Sequence, residues 1–339
     1  MKMFFGIAPN GQETFLYQIS WGKLTAQISD YGATLVSLLV PDSQGILGDV
    51  VLGFDTPKEY WEKGGYLGAT VGRNANRIAG GRFMIGDKLV QMPTNEGCNN
   101  LHSGPDSYAY RLWTVEEHTA SSIRFSLFSP DGDQGMPGNA HIYVTYTLES
   151  PGALRITYDA VSDKDTVFNL TNHTYFNMAG HDHPEKAMDQ LLMMPARHYT
   201  PDDAQSIPTG EKKSVEGTPM DFRIPKPIGR DINQDYRCLQ LQKGYDHNFE
   251  AYAEPCAVLS DPESGRSMSV TTDCPGIQFY AGNFLNGVLG KNGVSYTYRG
   301  GVALETQYYP NSVNVPDWKQ PFFKAGEPYH SVTVYAFRW

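Results

Sequence analysis

Apolar and polar residues alternate with a period of two through most of the chain. Ile123, Phe125 and Leu127 alternate with polar neighbours, as do Ile142, Val144, Tyr146 and Leu148, then Leu154, Ile156 and Tyr158. Near the C-terminus Val332, Val334 and Ala336 share one face of the stretch from Tyr329 to Phe337. A period of two is the pleat repeat of a strand with one face buried. Turn-forming clusters separate the runs: Pro41-Asp-Ser-Gln-Gly45, Gly86-Asp87 and Asp261-Pro-Glu-Ser-Gly265. Helical periodicity is nearly absent. One short helix is predicted over Pro57-Lys-Glu-Tyr-Trp-Glu62, with Thr56 as N-cap and Pro57 at the first helical position. From about Pro201 to Asp235 the chain reads as loop, because Pro208, Pro219, Pro225 and Pro227 interrupt any regular pattern. Many strands and few helices predict an all-β protein, a large β-sandwich. No composition shift, internal repeat or low-complexity tract divides it, so residues 1–339 are expected to form a single domain.

Composition adds limits. The formal net charge is −10, which points away from nucleic acid, whose binders carry basic patches. Tyrosine and phenylalanine are abundant, at 21 and 16 residues, which suits strands and carbohydrate contacts. The four cysteines, Cys98, Cys238, Cys256 and Cys274, form no CxxC pair and match neither a disulfide framework nor a zinc knuckle. Reduced thiols and a cytoplasmic protein are the expectation. The apolar run in Met1–Asn10 is too short for a signal peptide, and no segment approaches the ~18 apolar residues of a membrane span.

Candidate chemistry gathers in five segments. The central one is Asn169-Leu-Thr-Asn-His-Thr-Tyr-Phe-Asn177, where His173 stands among amides, hydroxyls and rings after a strand-like stretch. An imidazole with an ordinary pKa of ~6.5 can serve as general acid or base; a hydrogen-bonded histidine at a strand end is the structural alternative. Thr70-Val-Gly-Arg-Asn-Ala-Asn-Arg-Ile78 offers Arg73, Asn74, Asn76 and Arg77, as hydroxyl ligands or as a loop with surface arginines. Asn95-Glu-Gly-Cys-Asn-Asn-Leu-His-Ser-Gly104 places His102 among small and amide residues. In Gly244-Tyr-Asp-His-Asn-Phe249, Asp246 either accepts sugar hydroxyls or closes an Asx turn. In Gly301-Val-Ala-Leu-Glu-Thr-Gln-Tyr-Tyr-Pro-Asn311, Glu305 follows an apolar run, and a carboxylate in such a strand must be paired or tuned. His181-Asp-His183 has an HxH spacing but no matching carboxylate, and reads as a polar loop. Spacing leaves open a metal site built from His102, His173 and Glu305. There is no P-loop, dinucleotide fingerprint or GxSxG elbow.

In this order, TVGRNANRI, NNLHSG, NLTNHTYFN, GYDHNF, GIQFYAGNF and ETQYYPNSVN resemble the motifs of the aldose 1-epimerase (galactose mutarotase) family. Tyr31-Gly-Ala-Thr-Leu35 and Val50-Val-Leu-Gly-Phe54 fit it as well. The resemblance implies the mutarotase-like supersandwich fold and the cofactor-free, metal-free interconversion of the anomers of a free aldohexose such as galactose or glucose. It implies Glu305 as general base and His173 as general acid, with His102 near the ring oxygen. Asn76, Arg77, Asp246 and Gln278 would bind sugar hydroxyls, and Tyr175 would line the pocket. Ser103 departs from the glycine that the family commonly has there. The partner implied is a small sugar, with neither nucleic acid nor membrane; the oligomeric state stays open. Two expectations about geometry follow: that Glu305 and His173 face each other across a sugar-sized gap, and that a nearby carboxylate helps His173 hold its proton near neutral pH. Two alternatives share the fold, a hexose-phosphate epimerase-like enzyme, which Arg73 keeps open, and a non-catalytic carbohydrate-binding protein.

Overall fold

The computed structural model describes residues 1–339. Three antiparallel sheets carry it. The N-terminal sheet is a five-stranded meander, Lys2–Ile7, Glu13–Trp21, Leu24–Ser29, Thr34–Pro41 and Leu47–Asp49. The largest has nine strands. Four of them, Thr114–His118, Ser122–Ser129, Ala140–Glu149 and Ala153–Ser162, follow one another, and the C-terminal strand Tyr329–Arg338 joins at Ala153–Ser162. Ser267–Thr272, Ala257–Ser260, Leu191–Met193 and Lys226–Pro227 complete it. The third sheet has six strands in the spatial order Tyr175–Phe176, Val302–Gln307, Gly276–Tyr280, Asp246–Glu250, His198–Tyr199 and Lys213–Ser214.

Alternation decides which face of each strand is inside. Ile142, Val144, Tyr146 and Leu148 are buried, with their neighbours between them only partly so. One continuous core joins these residues to Ile19, Ile28 and Leu38 of the N-terminal sheet and to Phe249, Ile277, Phe279 and Leu304 of the six-stranded sheet. Each such side chain contributes ~1.5–3 kcal/mol by leaving water. The C-terminal strand differs from the sequence pattern. Its buried face carries Tyr329, Ser331, Thr333, Tyr335 and Phe337, while Val332, Val334 and Ala336 are only partly buried. The reason lies in what that face meets: Thr333 shares a hydrogen bond with Thr306, and the Tyr335 hydroxyl donates to the Leu304 carbonyl of the neighbouring sheet. Aromatic bulk and hydroxyls that find partners outcompete small aliphatics for the interior.

The predicted helix forms over Pro57–Lys63, and the Thr56 hydroxyl accepts the Glu59 amide hydrogen as its cap. A second helix, Arg237–Gln242, has no side-chain cap at Tyr236 and shows no sequence signal. The proline-rich stretch before it is irregular, as expected, yet Val215, Met220, Phe222, Ile228 and Ile232 anchor it in the core. No disulfide joins the four cysteines. No helix is long and apolar enough to cross a membrane.

The six-stranded sheet positions the functional groups. Its strands Asp246–Glu250, Gly276–Tyr280 and Val302–Gln307 are buried on both faces. One face is the apolar core; the other carries Asp246, Asn248, Gln278, Glu305 and Gln307, set side by side by the register that pairs Asn248 with Gln278 and Gln278 with Glu305.

Candidate active site

His173 lies between two short strands that belong to different sheets. Thr171–Asn172 pairs with Thr70–Val71, and Tyr175–Phe176 pairs with Val302–Ala303. The backbone between them is held from both sides: the His173 amide donates to the Ala69 carbonyl, and Gly68 donates to the His173 carbonyl, each at 2.9 Å. The Asn172 side chain fixes the turn, donating to the Gly68 carbonyl and accepting from the Thr174 amide. The imidazole is stacked between two rings, Tyr175 at 5.2 Å and Tyr66 at 5.8 Å, with interplanar angles of 28° and 29°. This arrangement leaves the ring little freedom except within its own plane.

Nε2 of His173 stands 3.7 Å from Oε1 of Glu305. The two groups therefore do not face each other across a sugar-sized gap, as the sequence reading expected. Two oxygens bonded to one carbon are close neighbours, so an acid and a base that serve both can stand side by side. His102 completes the cluster, its ring 5.2 Å from that of His173. It is pinned to Asn76 in both directions: its amide donates to the Asn76 carbonyl, and its Nδ1 accepts the Asn76 amide hydrogen, each at 3.1 Å. The neutral ring thus carries its hydrogen on Nε2 as a donor. Ligand atoms of His102, His173 and Glu305 lie within 4.8 Å of one another. Neither nitrogen of His102 has a free lone pair in this tautomer, so the trio fits a hydrogen-bonding set better than a metal cage. Next to His102, Ser103 adopts φ 67°, a region glycine enters freely. Its hydroxyl accepts from the Asn74 amide and donates to the Asn74 carbonyl, which offsets the strain.

A polar wall faces these rings. Arg77 makes a two-pronged contact with Glu96, Nε to Oε2 at 2.6 Å and Nη2 to Oε1 at 2.8 Å, and its Nη1 lies 3.8 Å from Oδ2 of Asp246. Asn76 accepts the Arg77 amide hydrogen on its side-chain oxygen. Gln278 donates to Oδ1 of Asp246 at 2.7 Å. The cleft enclosed by Tyr66, Asn76, Arg77, His102, His173, Tyr175, Asp246 and Glu305 measures about 170 Å³, room for one small ring. Two wider hollows, of about 600 and 650 Å³, lie elsewhere on the surface and hold none of this cluster.

Burial dominates the electrostatics. It pushes His173 down to about 4, against a smaller opposing contribution from its own backbone hydrogen bond. It pushes Glu305 well above the carboxylate range, and the charge of Asp246 adds to the rise while Arg77 opposes it. His102 is held well below its ordinary value by burial, then by His173 and Arg77. Asp246 is raised by burial, with Arg77 restraining it. The expectation that a carboxylate neighbour keeps His173 protonated near neutral pH is thus not met, because burial outweighs it. Burial there favours the neutral form of each group, lowering His173 and raising Glu305.

Of the residues singled out in the sequence, Glu305, His173, His102, Asn76, Arg77, Tyr175 and Asp246 line one cleft. Gln278 stands behind Asp246 and orients its carboxylate rather than forming the wall. Arg73 is elsewhere: fully buried, it donates to the carbonyls of Pro137, Ser129 and Gly138 and to the hydroxyls of Thr166 and Ser129. His181 contacts the Tyr296 hydroxyl away from the cleft, and His183 is exposed. The sequence reading passed over Tyr66, Glu96, Tyr280 and Phe284, all of which line the cleft. It also passed over Asp202, whose carboxyl burial and then Asp246 push well above the ordinary range. Glu96 and Phe284 stand inside motifs that were quoted. Tyr66, in Gly64-Gly65-Tyr-Leu-Gly68, offered only a glycine-rich context.

Comparison with known proteins identifies the family. A family profile described as aldose 1-epimerase matches residues 16–336. The chain is 42% identical to galactose mutarotase from Mus musculus over 342 aligned positions, covering 99% of this chain and 98% of that protein. It is 39% identical to aldose 1-epimerase from Haemophilus influenzae, covering 93% of each. A crystal structure of an aldose epimerase homologue from C. elegans superposes with a TM-score of 0.89 at 33% identity, covering 96% of this chain and 99% of the other.

Proposed function

The chain belongs to the aldose 1-epimerase family and is an aldose 1-epimerase; from that premise we propose that Glu305 is its general base, that His173 is its general acid, and that free aldohexoses of the galactose and glucose type are its substrates. The observation that carries this reading is the 3.7 Å approach of His173 Nε2 to Glu305 Oε1 inside a sugar-sized cleft. Ionised Glu305 takes the proton of the C1 hydroxyl, the bond from C1 to the ring oxygen breaks, and protonated His173 delivers its proton to that oxygen. The open-chain aldehyde turns about C1–C2 and closes as the protons return. Before opening the pair is carboxylate and imidazolium; after opening it is carboxylic acid and imidazole. Net charge is the same in both, so no uncompensated charge is buried during the cycle. The burial that raises Glu305 and lowers His173 favours the arrangement that accompanies the open chain.

His102, with its hydrogen on Nε2, donates towards the ring oxygen. Arg77, held by Glu96, and Asp246, held by Gln278, hold the remaining hydroxyls away from C1. The unbroken core that joins all three sheets supports treating residues 1–339 as a single domain. A phosphorylated hexose is disfavoured: Arg73 lies outside the cleft, and Arg77 is already matched by Glu96 and Asp246. The test is polarimetry. Purified protein should speed the optical-rotation change of freshly dissolved α-D-galactose or α-D-glucose, with or without EDTA. Sugar binding with no acceleration would sink the reading in favour of a non-catalytic protein.

A further inference from the structure

Tyr66 stands in a backbone conformation that a tyrosine seldom adopts. It follows the helix Pro57–Lys63 in the run Gly64-Gly65-Tyr-Leu-Gly68. Gly64, Gly65 and Gly68 have φ of 65°, 80° and 69°, and Tyr66 itself has φ 56°. Glycine enters that left-handed region freely, whereas a bulky side chain there is strained and persists only where its surroundings hold it. Tyr66 is held against the cleft, which it helps to line.

Its ring meets both imidazoles. It lies 5.8 Å from the ring of His173 at an interplanar angle of 29°, and 4.7 Å from that of His102 at 58°. Tyr110 backs it at 5.6 Å, and Trp61 of the helix backs Tyr110 at 5.3 Å. The same segment grips His173 by its backbone. Gly68 donates to the His173 carbonyl, and the Tyr66 carbonyl accepts from Ala69, whose own carbonyl takes the His173 amide hydrogen. Nothing larger than glycine fits at position 68, since a Cβ there would stand 2.1 Å from the Leu35 carbonyl oxygen. One short segment thus fixes the backbone of His173 and, through its strained residue, the ring. The other ring stacked on His173, that of Tyr175, is buried, whereas Tyr66 is half-buried and meets solvent.

We propose that Tyr66 is a positioning residue for the reaction: its ring holds the plane of His173 so that Nε2 stays directed at Glu305, and it keeps bulk water off the imidazole. The inference rests on reading His173 as the general acid. A ring free to turn about its Cβ–Cγ bond would carry Nε2 away from Glu305 and lose the alignment on which proton transfer depends. Facing His173 are Glu305 at 3.7 Å, His102 and Tyr175, with Arg77 and Asp246 lining the same cleft. Burial, rather than any charge among them, is what lowers His173 to about 4. Uncovering the ring should lift that value towards the ordinary ~6.5.

Two substitutions test this together. Tyr66→Gly suits the backbone and removes the ring. It should lower kcat roughly tenfold, within what a placed acid contributes, while KM moves less than about threefold. Tyr66→Phe, which keeps the ring, should retain most of the kcat that glycine loses. NMR titration of the histidine rings in Tyr66→Gly should show His173 titrating above its value in the unmutated protein. A raised KM with unchanged kcat would make Tyr66 a sugar contact only and overturn the proposal, and so would a His173 titration that does not move. An equal loss of kcat in Tyr66→Phe would assign the effect to the hydroxyl and overturn it too. If Tyr66→Gly does not fold, Tyr66→Asn, which also tolerates a left-handed backbone, is read in the same way. The titration reports the cover independently of the role of His173, whose failure would show instead as full activity in His173→Asn.

Discussion

Two buried acid–base pairs of this protein, Lys291 with Asp49 and His173 with Glu305, are built on opposite plans. Lys291 and Asp49 tie the loop after Leu289 to the N-terminal sheet. The ammonium makes three contacts, to Asp49 Oδ2 at 2.6 Å and to the carbonyls of Val36 and Val51 at 2.8 Å each. The other Asp49 oxygen accepts from the Leu38 and Val51 amides. Burial works against the Asp49 carboxylate, but Lys291 together with hydrogen bonds from Leu38 and Ser37 holds the group below its ordinary value. His173 and Glu305 are equally buried, yet stand 3.7 Å apart with Nδ1 and Oε2 unpartnered. No cation outweighs burial there, and both groups drift towards their neutral forms. A pair with every donor and acceptor filled is scaffold. A pair left short of partners keeps its protons movable, and a site for proton transfer needs that.

The comparison can be broken from either side. The largest effect is expected at the unfilled pair: Glu305→Gln should lower kcat by about 10²–10⁴-fold while the melting temperature stays level or rises, since a strained buried carboxylate is removed. The stability side rests on replacing a buried carboxyl short of partners by a neutral amide; polarimetry and thermal denaturation on one preparation read both effects, and a large loss of stability would place Glu305 with the scaffold. At the filled pair the outcome reverses. Lys291→Met should cost about 3–5 kcal/mol by stranding Asp49, measured by denaturant unfolding, with the folded fraction turning over normally.

A smaller effect is expected at Glu96, which is half scaffold and half site. Glu96→Gln loosens the Arg77 fork by one charge-assisted contact of about 1.5–3 kcal/mol. It should raise KM roughly tenfold with little change in kcat; the opposite split would give Arg77 a part in the chemistry. The subtlest reading is pH. The pair carries one proton between the lowered value of His173, about 4, and the raised value of Glu305. Below about pH 4 a second proton enters and no base remains; above the Glu305 value the shared proton leaves and no acid remains. The kcat/KM profile should therefore carry an acid limb near 4, set by His173, and an alkaline limb at the raised value of Glu305. A limb near the ordinary histidine value would mean that burial does not depress His173.

Sequence alone determined the class of fold, because a strand with one buried face must repeat every two residues, as the runs at Ile142–Leu148 and Leu154–Tyr158 do. It also brought forward the candidate groups, since the motifs around His173, Glu305, His102 and Arg77 are short local strings. Local strings do not encode what meets them from elsewhere. The inward face of Tyr329–Arg338 was decided by Thr306 and Leu304 on another sheet. Arg73 and Arg77, four residues apart in one motif, were separated by tertiary structure into scaffold and site. The side-by-side stance of His173 and Glu305, the tautomer of His102 and the protonation of the pair depend on distances between strands far apart in the chain. Burial is likewise a property of the assembled sheets, and burial, more than residue type, turns an ordinary histidine and glutamate into groups poised to exchange a proton.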